Sequence, residues 1–168
     1  MEESAMKARI DTQKIAATRL DGMSGLRAQV EGSGLGPKLL HLIRMRASQL
    51  NGCAYCLDMH WKDARAAGET EQRLYGLDAC REAPYYDERE RAGLEWTEAV
   101  TRVSEGHVCD EVFERVHPHF SDEELADLTL AVVEINAWNR IAISLRMPAG
   151  SYQPRGSMRV KGEARAAS

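Results

Sequence analysis

Residues 51–60 read Asn51-Gly52-Cys53-Ala54-Tyr55-Cys56-Leu57-Asp58-Met59-His60. Asn51-Gly52 ends the preceding segment, and the residues that follow are typical of the first turn of a helix. Because positions i and i+3 are neighbours on a helix, the sulfur atoms of Cys53 and Cys56 can approach disulfide distance. His60 lies one turn after Cys56, where it can take the thiol proton, and the positive end of the helix dipole favours a thiolate. The segment therefore predicts a paired, activated dithiol.

The composition is that of one globular domain. The chain has 168 residues, of which 43% are hydrophobic and 29% charged, enough to bury a core. Its net charge of -4 argues against nucleic-acid and anionic-membrane partners. The acidic start Met1-Glu2-Glu3-Ser4 predicts no signal peptide, and no apolar run approaches the roughly 20 residues of a membrane span. We therefore expect a cytoplasmic protein, in which a Cys-x-x-Cys pair is more often catalytic or metal-binding than structural.

Helical signals run through most of the chain. Pro37 stands where a first helical residue belongs, and apolar residues recur at helical spacing as far as Leu50. Ser121-Asp122-Glu123-Glu124 is a capping box that opens the last long helix. No segment alternates apolar and polar residues long enough to suggest a sheet, so the expected fold is all-α, a single-domain helical bundle. The predicted helices span residues 19–31, 37–50, 53–68, 70–81, 87–103 and 121–145.

The chain divides into three parts. Residues 1–18 are a predicted N-terminal arm, within which the weakly periodic stretch from Ala8 to Ala17 is expected to be extended. Residues 19–147 form the helical domain. Residues 148–168 are rich in Gly, Ser and Arg and lack periodicity, so they are predicted to be a flexible tail or an arm ordered by a partner chain.

Residues 46–60, from Arg46 to His60, resemble the core of the alkylhydroperoxidase D-like branch of the carboxymuconolactone decarboxylase family. The resemblance covers roughly residues 20–147. It implies an all-helical subunit that assembles into trimers or, for short members such as this one, hexamers. It also implies peroxidase chemistry at the dithiol. Further matches to the branch are Glu71–Tyr75, Glu90–Ala92, Trp96–Thr101 and Asn136–Arg140.

The resemblance also implies a role for each candidate site residue. Cys56 attacks the peroxide, Cys53 resolves the sulfenic acid to a disulfide, and His60 belongs to a proton relay. The family has a glutamate twelve residues before the first cysteine, where this chain has His41, and some members have a histidine at the position of Tyr55. We therefore include His41 in the predicted site and expect an altered relay.

The expected function is a thiol-dependent hydroperoxide reductase, an antioxidant oxidoreductase that needs no cofactor. Such a reaction requires a thiolate, a proton for the leaving group and a second thiol that stops oxidation at the sulfenic stage. An external dithiol must then reduce the redox-active disulfide by exchange. The resemblance suggests a lipoyl-bearing or thioredoxin-like donor.

Other functions fit the same residues. A general dithiol–disulfide oxidoreductase and a non-catalytic or redox-sensing helical oligomer both remain open, whereas decarboxylation is not favoured because that branch lacks the cysteine pair. The dithiol with His60 also offers three zinc ligands, and Cys80, Cys109 or His107 could supply a fourth. No second closely spaced pair of ligands follows, so no metal site is predicted.

Several further residues are assigned to packing. His41 lies beside apolar residues, so the alternative to a role in the proton relay is a role in packing. Cys80 and Cys109 are expected to be small packing residues or partly exposed residues. The Asn136–Arg140 cluster is expected to form buried hydrogen bonds between helices or subunits. The helix from Leu125 to Leu145 is apolar around much of its circumference, which predicts a homo-oligomer, with a hexamer favoured.

Overall fold

The computed structural model describes residues 7–154, and every regular element in that range is helical. No strand occurs among these residues, which confirms the all-α prediction for them. No helix in this range is both long enough and apolar enough to cross a lipid bilayer. The helices are α1 (Thr12–Arg19), α2 (Asp21–Glu31), α3 (Pro37–Asn51), α4 (Ala54–Ala66), α5 (Glu71–Tyr75), α6 (Glu88–Thr101), α7 (Val103–Gly106), α8 (Asp110–Val116) and α9 (Asp122–Leu145), with 3₁₀ turns at Gly76–Ala79 and His117–His119.

The helix boundaries follow local signals in the sequence. Pro37 is the first residue of α3. At the start of α9 the Ser121 hydroxyl accepts the backbone N–H of Glu124, whose carboxylate accepts the backbone N–H of Ser121. The same reciprocal cap begins α6 at Asp87. Gly52, with a φ of 64°, ends α3 in the left-handed conformation that glycine adopts without strain.

Helix α3 is the central element and packs against α4, α6 and α9. Its Leu42 side chain is fully buried, and burial of such a side chain contributes roughly 2 kcal/mol. The same helix carries two buried arginines, Arg44 and Arg46. Arg46 is paired with the carboxylates of Asp78 and Glu98. Arg44 lies near the carboxylates of Glu31 and Glu134 and belongs to the site described below.

The N-terminal arm differs from the prediction. The stretch from Ala8 to Ala17, expected to be extended, contains the start of helix α1 at Thr12. Just before this helix, the backbone N–H of Arg9 donates to the carbonyl oxygen of Leu145 at 3.0 Å. The arm is therefore positioned by a contact with the end of α9, which its own weak apolar pattern could not reveal.

The predicted helix over residues 70–81 is divided. Helix α5 ends at Tyr75, and Gly76 begins a 3₁₀ turn. A Cβ atom on Gly76 would lie 2.3 Å from the hydroxyl oxygen of Tyr85, so a larger residue here would require the Tyr85 side chain to move. Helices α7 and α8 were not predicted, because helices this short carry too little periodic pattern.

The first residues of the predicted flexible tail are attached to the second half of α4. The ammonium group of Lys62 donates to the carbonyl oxygens of Gly150 and Tyr152, both at 3.1 Å. The Tyr152 hydroxyl donates to the Asp63 carboxylate at 2.7 Å. Gly150 and Tyr152 are thus hydrogen-bonded to α4, although most of residues 149–154 are exposed. The remainder of the tail, residues 155–168, and residues 1–6 of the arm lie outside the described residues.

Candidate functional site

The dithiol lies at the N-terminal end of α4. Cys53 is the residue that caps the helix, and its Sγ accepts the backbone N–H of Cys56 at 3.4 Å. Both cysteines are free thiols, each about 1% exposed. The break at Asn51-Gly52 and the helix start that follows are confirmed.

The pKa values of the two thiols are shifted in opposite directions. The pKa of Cys53 is lowered to about 7, because Cys56 donates a hydrogen bond to its sulfur and backbone N–H groups and the Asn139 amide add to the effect. The pKa of Cys56 is raised, because its proton is held by Cys53 and because the thiol is buried. At pH 7 the pair is therefore about half ionised, and its negative charge lies mainly on Cys53. The sequence analysis made Cys56 the attacking thiol, whereas the lower pKa belongs to Cys53, which occupies the capping position of α4.

A buried amide network joins α3 to α9 behind the dithiol. The Asn51 side chain donates to the side-chain oxygens of Asn136 at 3.0 Å and Asn139 at 2.8 Å. Asn139 in turn donates to the Ser48 hydroxyl at 3.1 Å. The Asn136–Arg140 cluster thus forms hydrogen bonds between helices, as predicted. The network fixes the end of α3, from which the chain enters the dithiol.

His60 lies one turn after Cys56 on α4 and is buried. Its Nδ1 has no hydrogen-bond partner among residues 7–154. The pKa of His60 is lowered well below its usual value, first by burial and then by the positive charges of Arg44 and Arg27. The imidazole is therefore neutral at pH 7, able to accept a proton but unable to carry a lasting positive charge.

His41 lies on the neighbouring helix α3 and is half-buried. Burial, followed by the charge of Arg44, lowers its pKa, while Asp63 acts in the opposite direction. Its Nδ1 likewise has no hydrogen-bond partner in the described part of the chain. His41 contributes to the lowered pKa of His60, so the structure brings the two histidines close enough to interact electrostatically.

The sequence analysis missed an ionic pair at this site, Arg44 and Glu134. The Nε atom of Arg44 lies 3.5 Å from a carboxylate oxygen of Glu134, and the two side chains are 5% and 1% exposed. Burial raises the pKa of Glu134, and the charge of Glu134 contributes to the raised pKa of Cys56. The signal that could have revealed the pair is a charged residue at an apolar position of each helix.

A cleft of about 720 Å³ opens beside His41. It lies between α2, α3, α4, α9 and residues 152–154, and both polar and apolar side chains line it. Its charged or polar lining residues include Arg27, Glu31, His41, Arg44, Asp63 and Trp138.

The other cysteines lie elsewhere. Cys80 is buried in a separate apolar cluster with Leu74 and Leu77, and Cys109 is exposed. Within residues 7–154, no group of three or more His, Cys, Asp or Glu side chains is arranged to hold a metal ion. The zinc alternative therefore gains no support from the positions of these cysteines.

Sequence comparison relates the chain to one protein family. A sequence model of the carboxymuconolactone decarboxylase family matches residues 13–99. The uncharacterized protein YdfG of Bacillus subtilis (strain 168) is 40% identical over 146 residues, which make up 87% of this chain and 99% of YdfG.

Solved structures share the fold. A protein of unknown function from Agrobacterium tumefaciens, whose suggested role is that of the antioxidant defence protein AhpD, superposes with a TM-score of 0.80 at 42% identity; the match covers 89% of this chain and 99% of that one. An uncharacterized peroxidase-related protein from Silicibacter sp. TM1040 superposes with a TM-score of 0.71 at 25% identity, covering 83% of this chain and 74% of that one. The similarity therefore extends over the whole dithiol-bearing domain.

Proposed function

Because the chain belongs to the carboxymuconolactone decarboxylase family, in its alkylhydroperoxidase D-like branch, we propose that it is a thiol-dependent hydroperoxide reductase. The observation that carries this proposal is the buried pair of free thiols at the start of α4, one of them with a pKa of about 7. Such a pair is one-half ionised at neutral pH, which is the state a peroxidatic dithiol needs.

In the proposed reaction Cys56 attacks the peroxide. The O–O bond breaks, one oxygen stays on Cys56 as a sulfenic acid, and the other leaves as an alcohol after it takes up a proton. Neutral His60 accepts the Cys56 thiol proton and returns it to the leaving oxygen, and His41 assists this transfer from α3. The Cys53 thiolate then attacks the sulfenic sulfur, so that the S–O bond breaks, a disulfide forms, and the hydroxide that leaves takes up a proton from solvent to become water.

The charge distribution suits this division of roles. Cys53 is about half thiolate at pH 7, so it is available for the second step, whereas Cys56 must lose its proton before the first. An external dithiol returns the disulfide to the reduced pair by exchange, and a lipoyl-bearing or thioredoxin-like donor is the proposed partner. A reducing compartment keeps both thiols free, so the cytoplasm is the proposed location.

One observation favours a second candidate, a general dithiol–disulfide oxidoreductase. A thiol with a pKa near the ambient pH is the best attacking group in thiol–disulfide exchange, and Cys53 has that property. In this case Cys53 attacks a substrate disulfide and peroxide is only a slow oxidant. A redox-sensing oligomer is distinguished from both enzymes by stoichiometric oxidation without turnover.

A peroxidase assay with an alkyl hydroperoxide and a small dithiol tests the proposal. We expect turnover by the wild type and none by Cys53→Ser or Cys56→Ser. With a sulfenic-acid trap, Cys53→Ser should be labelled at residue 56. Cys109→Ser, which removes the exposed thiol, is the matched control and should keep full activity. Turnover that survives in Cys56→Ser would refute the assignment, and disulfide reduction without peroxide turnover would favour the second candidate.

A further inference from the structure

The residues that line the cleft beside His41 carry an unusual set of nitrogen atoms. Three of its lining residues hold buried nitrogens without hydrogen-bond partners among residues 7–154: Nδ1 of His41, Nε and Nη2 of Arg44, and Nε1 of Trp138. Buried polar atoms in folded proteins are nearly always paired. Four of them belong to three residues that line one cleft, which indicates that a ligand seated there supplies the missing partner.

The chemistry of these atoms restricts the ligand to a hydrogen-bond acceptor. A guanidinium group and an indole N–H can donate but cannot accept. The Arg44 side chain is only 5% exposed, and a charge buried to this extent is costly unless both its charge and its N–H groups are satisfied. A carboxylate meets both requirements, because its two oxygens match the fork of a guanidinium.

The carboxylates near Arg44 do not satisfy its N–H groups. Glu134 on α9 approaches Nε at 3.5 Å without hydrogen-bond geometry, and it is not among the residues that line the cleft. Glu31 on α2 lies 3.6 Å from Nη1 but accepts a closer contact, at 2.8 Å, from Nε of Arg27. Asp63 on α4 accepts the Tyr152 hydroxyl. The Nη2 group of Arg44 is left for a ligand.

The remaining walls suit the body of an organic acid. The apolar lining residues include Ala28, Met59, Ala66 and Pro154. Met59 precedes the relay histidine directly, and His41 itself belongs to the wall, so a molecule seated here lies beside the proposed proton relay. The cleft volume of about 720 Å³ is in the usual range for small-molecule sites.

We propose that this cleft binds the carboxylate of an organic acid through Arg44 and Trp138, and that the hydroperoxide reduced by this chain carries such a carboxylate. Binding of a carboxylate in the cleft does not depend on peroxide reduction, whereas the assignment of a carboxylate-bearing hydroperoxide as substrate rests on the proposed function. Arg44 and Trp138 are thus specificity-determining residues, and the dithiol remains the reacting centre.

Binding is tested with an inert pair of probes, hexanoate and hexanamide, by isothermal titration calorimetry at pH 7. The wild type should bind hexanoate at least tenfold more tightly than hexanamide, since one charged hydrogen bond contributes that much. Trp138→Phe keeps the ring and removes only the N–H, and Arg44→Met removes the charge; each should weaken hexanoate about tenfold or more. Arg115→Met removes an exposed arginine outside the cleft and should leave the affinity unchanged. Equal affinity for the two probes, or no binding of hexanoate, overturns the proposal.

Substrate preference is tested with a medium-chain fatty-acid hydroperoxide and its methyl ester. The wild type should show the higher kcat/KM with the free acid, mainly through a lower KM, and Trp138→Phe should show a smaller preference while it still reduces the ester. Equal kcat/KM values for acid and ester overturn the substrate assignment. If hexanoate binds as expected but neither hydroperoxide is reduced, the proposed function fails and the carboxylate site stands.

Discussion

Cys53 and Cys56 are equally buried, yet the pKa of one thiol is lowered and that of the other is raised. Burial raises the pKa of any thiol, so it does not explain the difference. Hydrogen bonding explains the difference. The Cys53 sulfur accepts hydrogen bonds from the Cys56 thiol and from backbone N–H groups at the helix start, whereas the Cys56 thiol donates its proton to Cys53. The spacing of the cysteines predicted the pair, but the capping position that selects the thiolate became visible only in the structure.

The charge on Cys53 gives a pH-dependent reactivity. Because its pKa is lowered to about 7, the thiolate fraction falls below that pH and rises above it. Alkylation of Cys53 should therefore increase about tenfold from pH 6 to pH 8, while Cys56 stays unmodified. Timed labelling with iodoacetamide followed by peptide mass spectrometry measures both sites, with exposed Cys109 as the reference for the reagent. Faster labelling of Cys56 than of Cys53 is the opposite result.

His41 is expected to limit proton delivery. A carboxylate at this position would oppose the effect of Arg44 and raise the pKa of His60, so His41→Glu should preserve the fold and increase peroxidase turnover. His41→Ala should lower turnover by up to about 100-fold without preventing disulfide formation. The pH–rate profiles of the three proteins, measured with one peroxide and one dithiol, check this. Superimposable profiles would make His41 a packing residue.

At the scale of elements, the helices that sequence reasoning placed well are those with local stop and start signals. Pro37, the capping box at Ser121 and Gly52 act on their own neighbours, so their effect is readable without the fold. The Arg44–Glu134 pair and the cleft were not predictable in this way. They arise where α2, α3, α4 and α9 meet, and no local pattern states which helices become neighbours.

The amide network between α3 and α9 should be important for both stability and reactivity. Asn139→Ala removes the partner of Asn51 and Ser48, which leaves buried polar groups unpaired and should reduce the free energy of unfolding by about 2 kcal/mol. Because Asn139 also helps to lower the pKa of Cys53, the same variant should shift the alkylation midpoint of Cys53 upward.

Chemical denaturation at one fixed protein concentration gives the free energy of unfolding, and the pH dependence of labelling gives the alkylation midpoint of Cys53. Asn51→Ala, which removes a partner of Asn139 but does not affect the Cys53 pKa directly, is the matched variant. It should lose stability and leave the alkylation midpoint closer to that of the wild type. An unchanged unfolding free energy in Asn139→Ala would show that the network contributes little.

For the whole molecule, assembly remains a prediction. The helix from Leu125 to Leu145 was expected to be apolar around much of its circumference, and in the single chain α9 leaves Val133 and Ile143 nearly half exposed. Phe113 on α8 is exposed to a similar extent. Apolar surface of this kind is commonly covered in an oligomer.

We expect a homo-oligomer, with a hexamer favoured. Light scattering of the purified protein should give a mass of several times 18.8 kDa across micromolar concentrations. Ile143→Lys and Val133→Lys should reduce that mass if α9 forms the interface, whereas a lysine at exposed Val103 is the control. A constant mass of 18.8 kDa would rule the prediction out.

The role of the dithiol is decided by a stoichiometric titration. Fully reduced protein receives one equivalent of an alkyl hydroperoxide under argon, the alcohol formed is quantified, and the cysteines are mapped by mass spectrometry. The expected result is one equivalent of alcohol together with one Cys53–Cys56 disulfide, followed by repeated turnover once a dithiol is supplied. A protein that forms no alcohol, or that oxidises at Cys80 or Cys109 while the pair stays reduced, would contradict the peroxidase assignment.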